Sequence, residues 1–132
     1  MSLIRPLVLT AFLGQPLAAM ELIDPDTFLD QATGKTLTFR LEPTGDLVGL
    51  EQFLKRTLSV WTRADGTCSY GVIRIDGPRL CFTYDDQPNV DHCWFTFESE
   101  GALLVGMPES MEVQRITEIS DEPLQCRDAP LS

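Results

Sequence analysis

The chain reads as an all-β domain: an eight-stranded antiparallel meander, closed or half-closed into a small barrel, with one short N-terminal helix. Three observations predict this. Beyond Gly34, apolar and polar residues alternate in short runs with a period of two, the signature of half-buried strands. Asp65-Gly66 and Asp76-Gly77 lie between β-rich runs, and Asp-Gly supplies the positive φ angles that tight hairpins demand. The connections are short and almost free of helix, which leaves antiparallel neighbours as the simplest arrangement.

The helix is punctuated at both ends. Asp24 stands as its cap, Pro25 occupies the first helical position and Gly34 lies just past the end, predicting a helix over about 25–33. Phe28, Leu29 and Ala32 fall on one stripe, so it should cover an end or an open side of the β domain. Next, Leu37, Phe39 and Leu41 alternate with Thr36, Thr38 and Arg40 as the first strand of the meander. Pro43-Thr44-Gly45-Asp46 turns the chain into a second strand, Leu47 to Leu54, in which Gly49 marks a bulge or a close backbone approach. Thr57 to Arg63 is the third.

The stretch from Gly66 to Phe97 holds three of the four cysteines and supplies three more strands. If both hairpins have two-residue loops, Tyr70 pairs with Trp61, Val60 with Gly71, Ile73 with Leu80 and Gly71 with Phe82. One face then carries Leu58, Val60, Ile73, Ile75, Leu80, Phe82 and Tyr84 and should point inward. The other carries Trp61, Cys68, Tyr70, Val72 and Cys81. Leu103 to Met107 and Met111 to Ile119 complete the eight, and the tail after Ser120 is polar and contains proline. Eight twisted strands can close into a barrel that is filled by side chains or holds one small ligand.

Residues 1–19 read as a secretory signal peptide: one positive charge at Arg5, an apolar core from Leu7 to Leu13, breakers at Gly14 and Pro16, and cleavage after Ala19. The apolar run is about half of the ~20 residues a membrane span needs, and no cysteine offers a lipid attachment point, so no membrane anchoring is expected. Residues 20–132 then form a single domain, periplasmic or secreted, and monomeric. With 20 acids against 10 basic residues and a net charge of −10, the chain would be repelled by phosphate backbones, which argues against nucleic acid.

Four cysteines in a small exported chain read as two disulfides, with three possible connectivities. Cys81 and Cys93 flank the Tyr84 to Asp91 connection symmetrically and can face one another across neighbouring strands, which favours Cys81-Cys93 and leaves Cys68-Cys126 to pin the tail outside the sheet. In the chain-entropy account the bridges contribute about 3 and about 4 kcal/mol. No C-x-x-C occurs and His92 is the only histidine, so a zinc site is not expected.

The order Cys68, Gly71-Val72-Ile73, Leu80-Cys81-Phe82, Tyr84 and Cys93-Trp94 resembles small exported bacterial proteins of unknown function with a lipocalin-like β-barrel. The likeness covers about Leu37 to Phe97 and departs from the pattern at Ile73, where those proteins usually carry tryptophan. It implies a barrel and brings no known activity.

Few residues invite catalysis. Asp85, Asp86, Asn89, Asp91 and His92 crowd one loop, where oxygen ligands for calcium or a carboxylate-assisted histidine are conceivable. No glutamate closes that loop at EF-hand spacing and no nucleophile motif lies nearby, so it reads as a solvated acidic connection. Trp61, Tyr70, Trp94, Phe95 and Phe97 read as core or as pocket lining, and the acids from Glu98 to Glu122 as a solvated face. The expectation is therefore binding without catalysis, without metal or cofactor. A small apolar molecule would lie among Leu37, Phe39, Val60, Ile73, Phe82, Tyr84 and Trp94. The alternative is an envelope protein-interaction or inhibitor module with a solid core.

Overall fold

A computed structural model describes residues 2–9 and 19–127. Gly14, Pro16 and most of the apolar core of the expected signal peptide lie outside the described residues, and among those described no helix is long and apolar enough to cross a membrane. The chain runs β1 (Glu21–Ile23), α1 (Pro25–Ala32), β2 (Thr36–Leu41), β3 (Leu47–Lys55), β4 (Leu58–Thr62), β5 (Cys68–Asp76), β6 (Arg79–Tyr84), β7 (Asp91–Ser99), β8 (Ala102–Met107) and β9 (Glu112–Ser120). Strands β2 to β9 pair each with the next, all antiparallel, and β9 returns to pair with β2, so the meander closes as an eight-stranded barrel. Closure leaves no long open edge to aggregate.

The short β1 is absent from the sequence reading. It pairs with β7 through Leu22↔Phe97 and Ile23↔Thr96, on the edge that β6 leaves free beyond Phe95. Three residues carry too little pattern to be read alone.

Up-and-down connectivity sorts the loops. At one end lie the tight turns after β3, β5 and β7, together with α1; at the other lie the longer connections after β2, β4, β6 and β8. Helix α1 closes the first end. Phe28, Leu29 and Ala32 are fully or almost fully buried and join Leu37, Phe53 and Leu103 in the core. Arg56, in the β3 to β4 turn, ties the helix down through ion pairs to Asp26 and Asp30. Asp24 caps with its backbone: its carbonyl accepts from Phe28 N–H at 3.1 Å while its side chain makes no capping bond.

The hairpin registers depart from the expectation by instructive amounts. Between β4 and β5 the loop spans residues 63–67, closed by Arg63 N–H donating to Thr67 O, so that Val60 faces Tyr70 and Trp61 faces Ser69. That is one residue away from the expected pairing, and a slip of one exchanges the faces of a strand. Accordingly Ser59 and Trp61 point into the barrel, whereas Leu58 and Val60 point out. Between β5 and β6 the turn is Gly77-Pro78, with Asp76 opposite Arg79 and Ile73 opposite Phe82. This differs from the expected register by two residues, so Ile73, Leu80, Phe82 and Tyr84 keep their inward face. Ile75 lies beside Leu80 at the strand end and is exposed.

Val60 is nevertheless buried, on the outer face, where the tail passes. Thr36 Oγ1 donates to Glu122 O at 2.7 Å, Leu124 N–H donates to Gln52 Oε1 at 3.0 Å, and Gln52 is the cross-strand neighbour of Val60. Disulfides join Cys68 to Cys126, fastening that tail, and Cys81 to Cys93, which face each other across β6 and β7. The described chain is therefore a disulfide-bonded β-barrel, as an oxidising compartment permits.

Candidate functional site

Inside the barrel a row of rings runs from the helix to the opposite end. Phe28 and Phe53 have ring centroids 6.1 Å apart, Phe53 and Phe82 6.1 Å, Phe82 and Tyr84 6.1 Å and nearly parallel, and Tyr84 and His92 5.5 Å. The row is apolar under the helix and becomes polar toward the long loops.

Beside this row lies a cavity of about 250 Å³. Its walls include Phe28, Leu80, Phe82 and Trp94 on one side and Phe39, Val48 and Trp61 on another, with Arg63, Asp86, Gln87 and His92 around the loop end. Asp86 and Gln87 are exposed, so the cavity reaches the surface there. Two glycines make the space. A Cβ on Gly49 would fall 2.4 Å from the Trp61 indole and 2.5 Å from Thr62 O, and one on Gly71 would fall 3.0 Å from the Tyr84 ring. Only a bare backbone lets these two rings lie flat against the wall. Gly49 also borders the β2 to β3 register shift, at a position where a bulge or a close backbone approach was expected.

Among the described residues one buried carboxyl group, that of Glu51, faces this interior, apart from Asp86 at the mouth. Glu51, on β3 between Leu37 and Trp61, is 2 % exposed. The Tyr84 hydroxyl lies 3.1 and 3.0 Å from its two oxygens and donates its single proton to them. Burial pushes the Glu51 carboxyl up to about 8, and the hydroxyls of Ser59 and Tyr84 oppose that rise only in part. The Tyr84 phenol is raised well above its ordinary range by burial and by the neighbouring Glu51, so it remains a donor. Ser59 Oγ is close enough to favour the Glu51 charge, yet it is buried without a hydrogen bond of acceptable geometry. At the mouth Arg63 pairs with Asp86 and donates to Ser69 Oγ, while His92 Nε2 lies 3.1 Å from Gln87 Oε1.

Of the residues expected to surround a ligand, Phe39, Phe82, Tyr84 and Trp94 line the cavity. Leu37 and Ile73 are buried in the core without lining it. Val60 does not line it: its strand is turned by the one-residue slip and its side chain is buried on the outer face. Trp61 takes the inward place instead. Sequence reasoning missed Glu51 entirely: in Leu47 to Leu54 the apolar residues Val48, Leu50 and Leu54 suggest the opposite inward face. The one available signal was that Gly49, Glu51 and Phe53 share a face with a phenylalanine.

The acidic loop does not assemble a metal site. Asp85 accepts from Tyr70 N–H, Asp86 holds Arg63, and Asp91 accepts from Thr83 and Arg74. Among the described residues no group of three His, Cys, Asp or Glu is placed to hold a metal ion. Comparison with known proteins returned no match, whether to a family model, to a curated protein or to a solved structure.

Proposed function

We propose that this protein binds a small, largely apolar molecule inside its barrel without transforming it. The observation that carries this reading is the cavity of about 250 Å³, walled by aromatic and aliphatic side chains and reached from the loop end. Its size limits the occupant. An apolar cavity of ~150 Å³ holds benzene, and pockets for drug-sized ligands begin at ~300 Å³. A molecule of one ring or two small ones suits the space; haem or a full-length fatty acid does not.

Binding rather than catalysis is supported by the groups on hand. All four cysteines are in disulfides, and His92 is engaged with Gln87 and the face of Tyr84. The disulfides and the signal-like N-terminus together support a periplasmic or secreted location.

A second reading, an envelope interaction module, draws on the outer face of β4 and β5, where exposed Tyr70, Val72 and Leu58 are neighbours and Leu58 pairs with Val72. Native mass spectrometry of the protein purified from its own host's envelope separates the two. Trp61 and Trp94 are the only tryptophans and both line the cavity, so intrinsic fluorescence reports on the interior alone. A retained small molecule whose removal changes that fluorescence is the expected result. Co-purification of one specific protein, with no fluorescence response to any one-ring or two-ring compound, would establish the module instead.

A further inference from the structure

A buried carboxyl is an expensive feature in an apolar cavity, and nothing in the fold of the barrel requires one at Glu51. A carboxylate offers about four acceptor sites. Here the two oxygens share one hydroxyl proton from Tyr84, and the nearby Ser59 hydroxyl remains unpartnered. Among the described residues no lysine or arginine pairs with this carboxyl. The arginine that lines the cavity among the described residues, Arg63, is held at the mouth by Asp86 and Ser69. The walls around the carboxyl are rich in aromatic rings, Trp61, Tyr84, Trp94 and Phe39 among them. Aromatic faces attract cations, most strongly when both are shielded from water, and a net charge of −10 draws cations toward the protein.

We infer that the occupant is a small organic cation, an ammonium group on an apolar body, with the ammonium set against Glu51 and Tyr84 and the body among the rings toward the helix. This rests on the reading of the cavity as a ligand site and names the class of ligand. An uncharged ligand leaves the carboxylate without a counter-charge inside the barrel, so that it is held in its protonated form. An ammonium supplies either N–H donors or, when quaternary, a positive charge that the carboxylate and the rings share.

The charge balance makes the inference testable. Glu51 is mostly protonated at neutral pH, since burial holds it at about 8, so a permanent cation that binds against it releases one proton to solvent. The other ionisable groups at the cavity are Tyr84 on β6, His92 on β7, and Arg63 with Asp86 at the mouth. Tyr84 stays protonated throughout the range concerned. The linkage then has the sign of deprotonation: affinity for the cation rises with pH and levels off above about 8.

Benzyltrimethylammonium and its uncharged isostere neopentylbenzene are suitable probes, titrated against the folded, disulfide-intact protein by tryptophan fluorescence and by calorimetry in two buffers of different ionisation enthalpy. The cation is expected to gain roughly a hundredfold in affinity between pH 6 and pH 9 and to release close to one proton at pH 6. Neopentylbenzene should show no such rise. Glu51→Gln should abolish the pH dependence and weaken cation binding at pH 9 by at least about tenfold, while still binding neopentylbenzene, which shows that the variant is folded around an intact cavity. His92→Gln should retain the rise, which excludes the histidine as its source. If neopentylbenzene binds and the cation does not, or if cation binding ignores both pH and Glu51→Gln, the cation assignment is wrong and the apolar cavity stands. If neither probe binds, the ligand-site reading falls with it.

Discussion

The two ends of the barrel interior solve different problems with the same strands. Under the helix, Phe28, Leu29, Phe53 and Leu37 are buried to 2 % exposure or less and belong to the apolar core. Toward the long loops the same inward positions carry Glu51, Ser69, Tyr84 and His92, and the space between them is open. The first arrangement gains from every apolar group removed from water, about 1.5–3 kcal/mol for a fully buried side chain of this size. The second gives some of that up: a buried ionisable group costs stability whenever it must charge, and an unfilled cavity loses dispersion contacts. The difference teaches which end the fold depends on and which end is kept for something else.

The largest expected effect breaks the packed end. Phe53 touches both Phe28 and Phe82 in the ring row, and Phe53→Ala should cost about 3–5 kcal/mol, read from denaturant midpoints at unchanged slope. A loss below about 1 kcal/mol would show that the helix end is no better packed than the open end. Removing the Cys68–Cys126 bridge as a double serine variant should cost about 4 kcal/mol, because it frees a loop with a sequence separation of 58 and unfastens the tail from Val60 and Thr36.

The open end is probed by pH. The folded value of Glu51, about 8, lies above its ordinary value of 4.5, so the folded state holds the proton more tightly than the unfolded one. Its contribution is fully present below pH 4.5 and is lost as pH rises toward 8. Relative to wild type, Glu51→Gln should therefore gain a few kcal/mol as pH is raised across that window and change little below it. Parallel stability curves for the two proteins from pH 4.5 to pH 8 would mean that Glu51 is not a desolvated acid. Tyr84→Phe removes the hydroxyl that favours the Glu51 charge, so it should move the midpoint of that window upward and cost about 1–3 kcal/mol.

A smaller effect tests how the cavity is shaped. Gly49→Ala places a methyl group against the Trp61 indole and should cost about 1–3 kcal/mol while shifting tryptophan emission. An unchanged spectrum would show that the indole does not need the bare backbone. Smallest of all is Arg56→Ala at the helix end: both of its ion pairs are exposed, and the melting temperature should barely move.

Much of the barrel was legible from local chemistry. Short strand-forming runs bounded by turn residues mark all eight barrel strands, Pro25 and Gly34 bracket α1, and the symmetric placement of Cys81 and Cys93 corresponds to a cross-strand pair that the register sets face to face. These features depend on φ preferences and on alternation along a single strand, which each segment carries by itself. What the tertiary structure decided were relations between segments. The residue that turns the loop after Thr62 determines whether Val60 or Trp61 enters the barrel, and Asp65-Gly66 alone does not say where pairing resumes. A two-residue error after Asp76 left every face unchanged, whereas a one-residue error after Thr62 reversed a strand, because side chains alternate with a period of two. Glu51 is the extreme case. Its own segment argues for solvent, and it is buried because Leu37 and Trp61 flank it across the sheet and Tyr84, 33 residues away, supplies its hydrogen bond. Sequence alone predicted a disulfide-bonded antiparallel meander, closed or half-closed; the closing of the barrel decided that Glu51 is buried among aromatic rings, since only closure brings the groups that bury it and bond to it into one place.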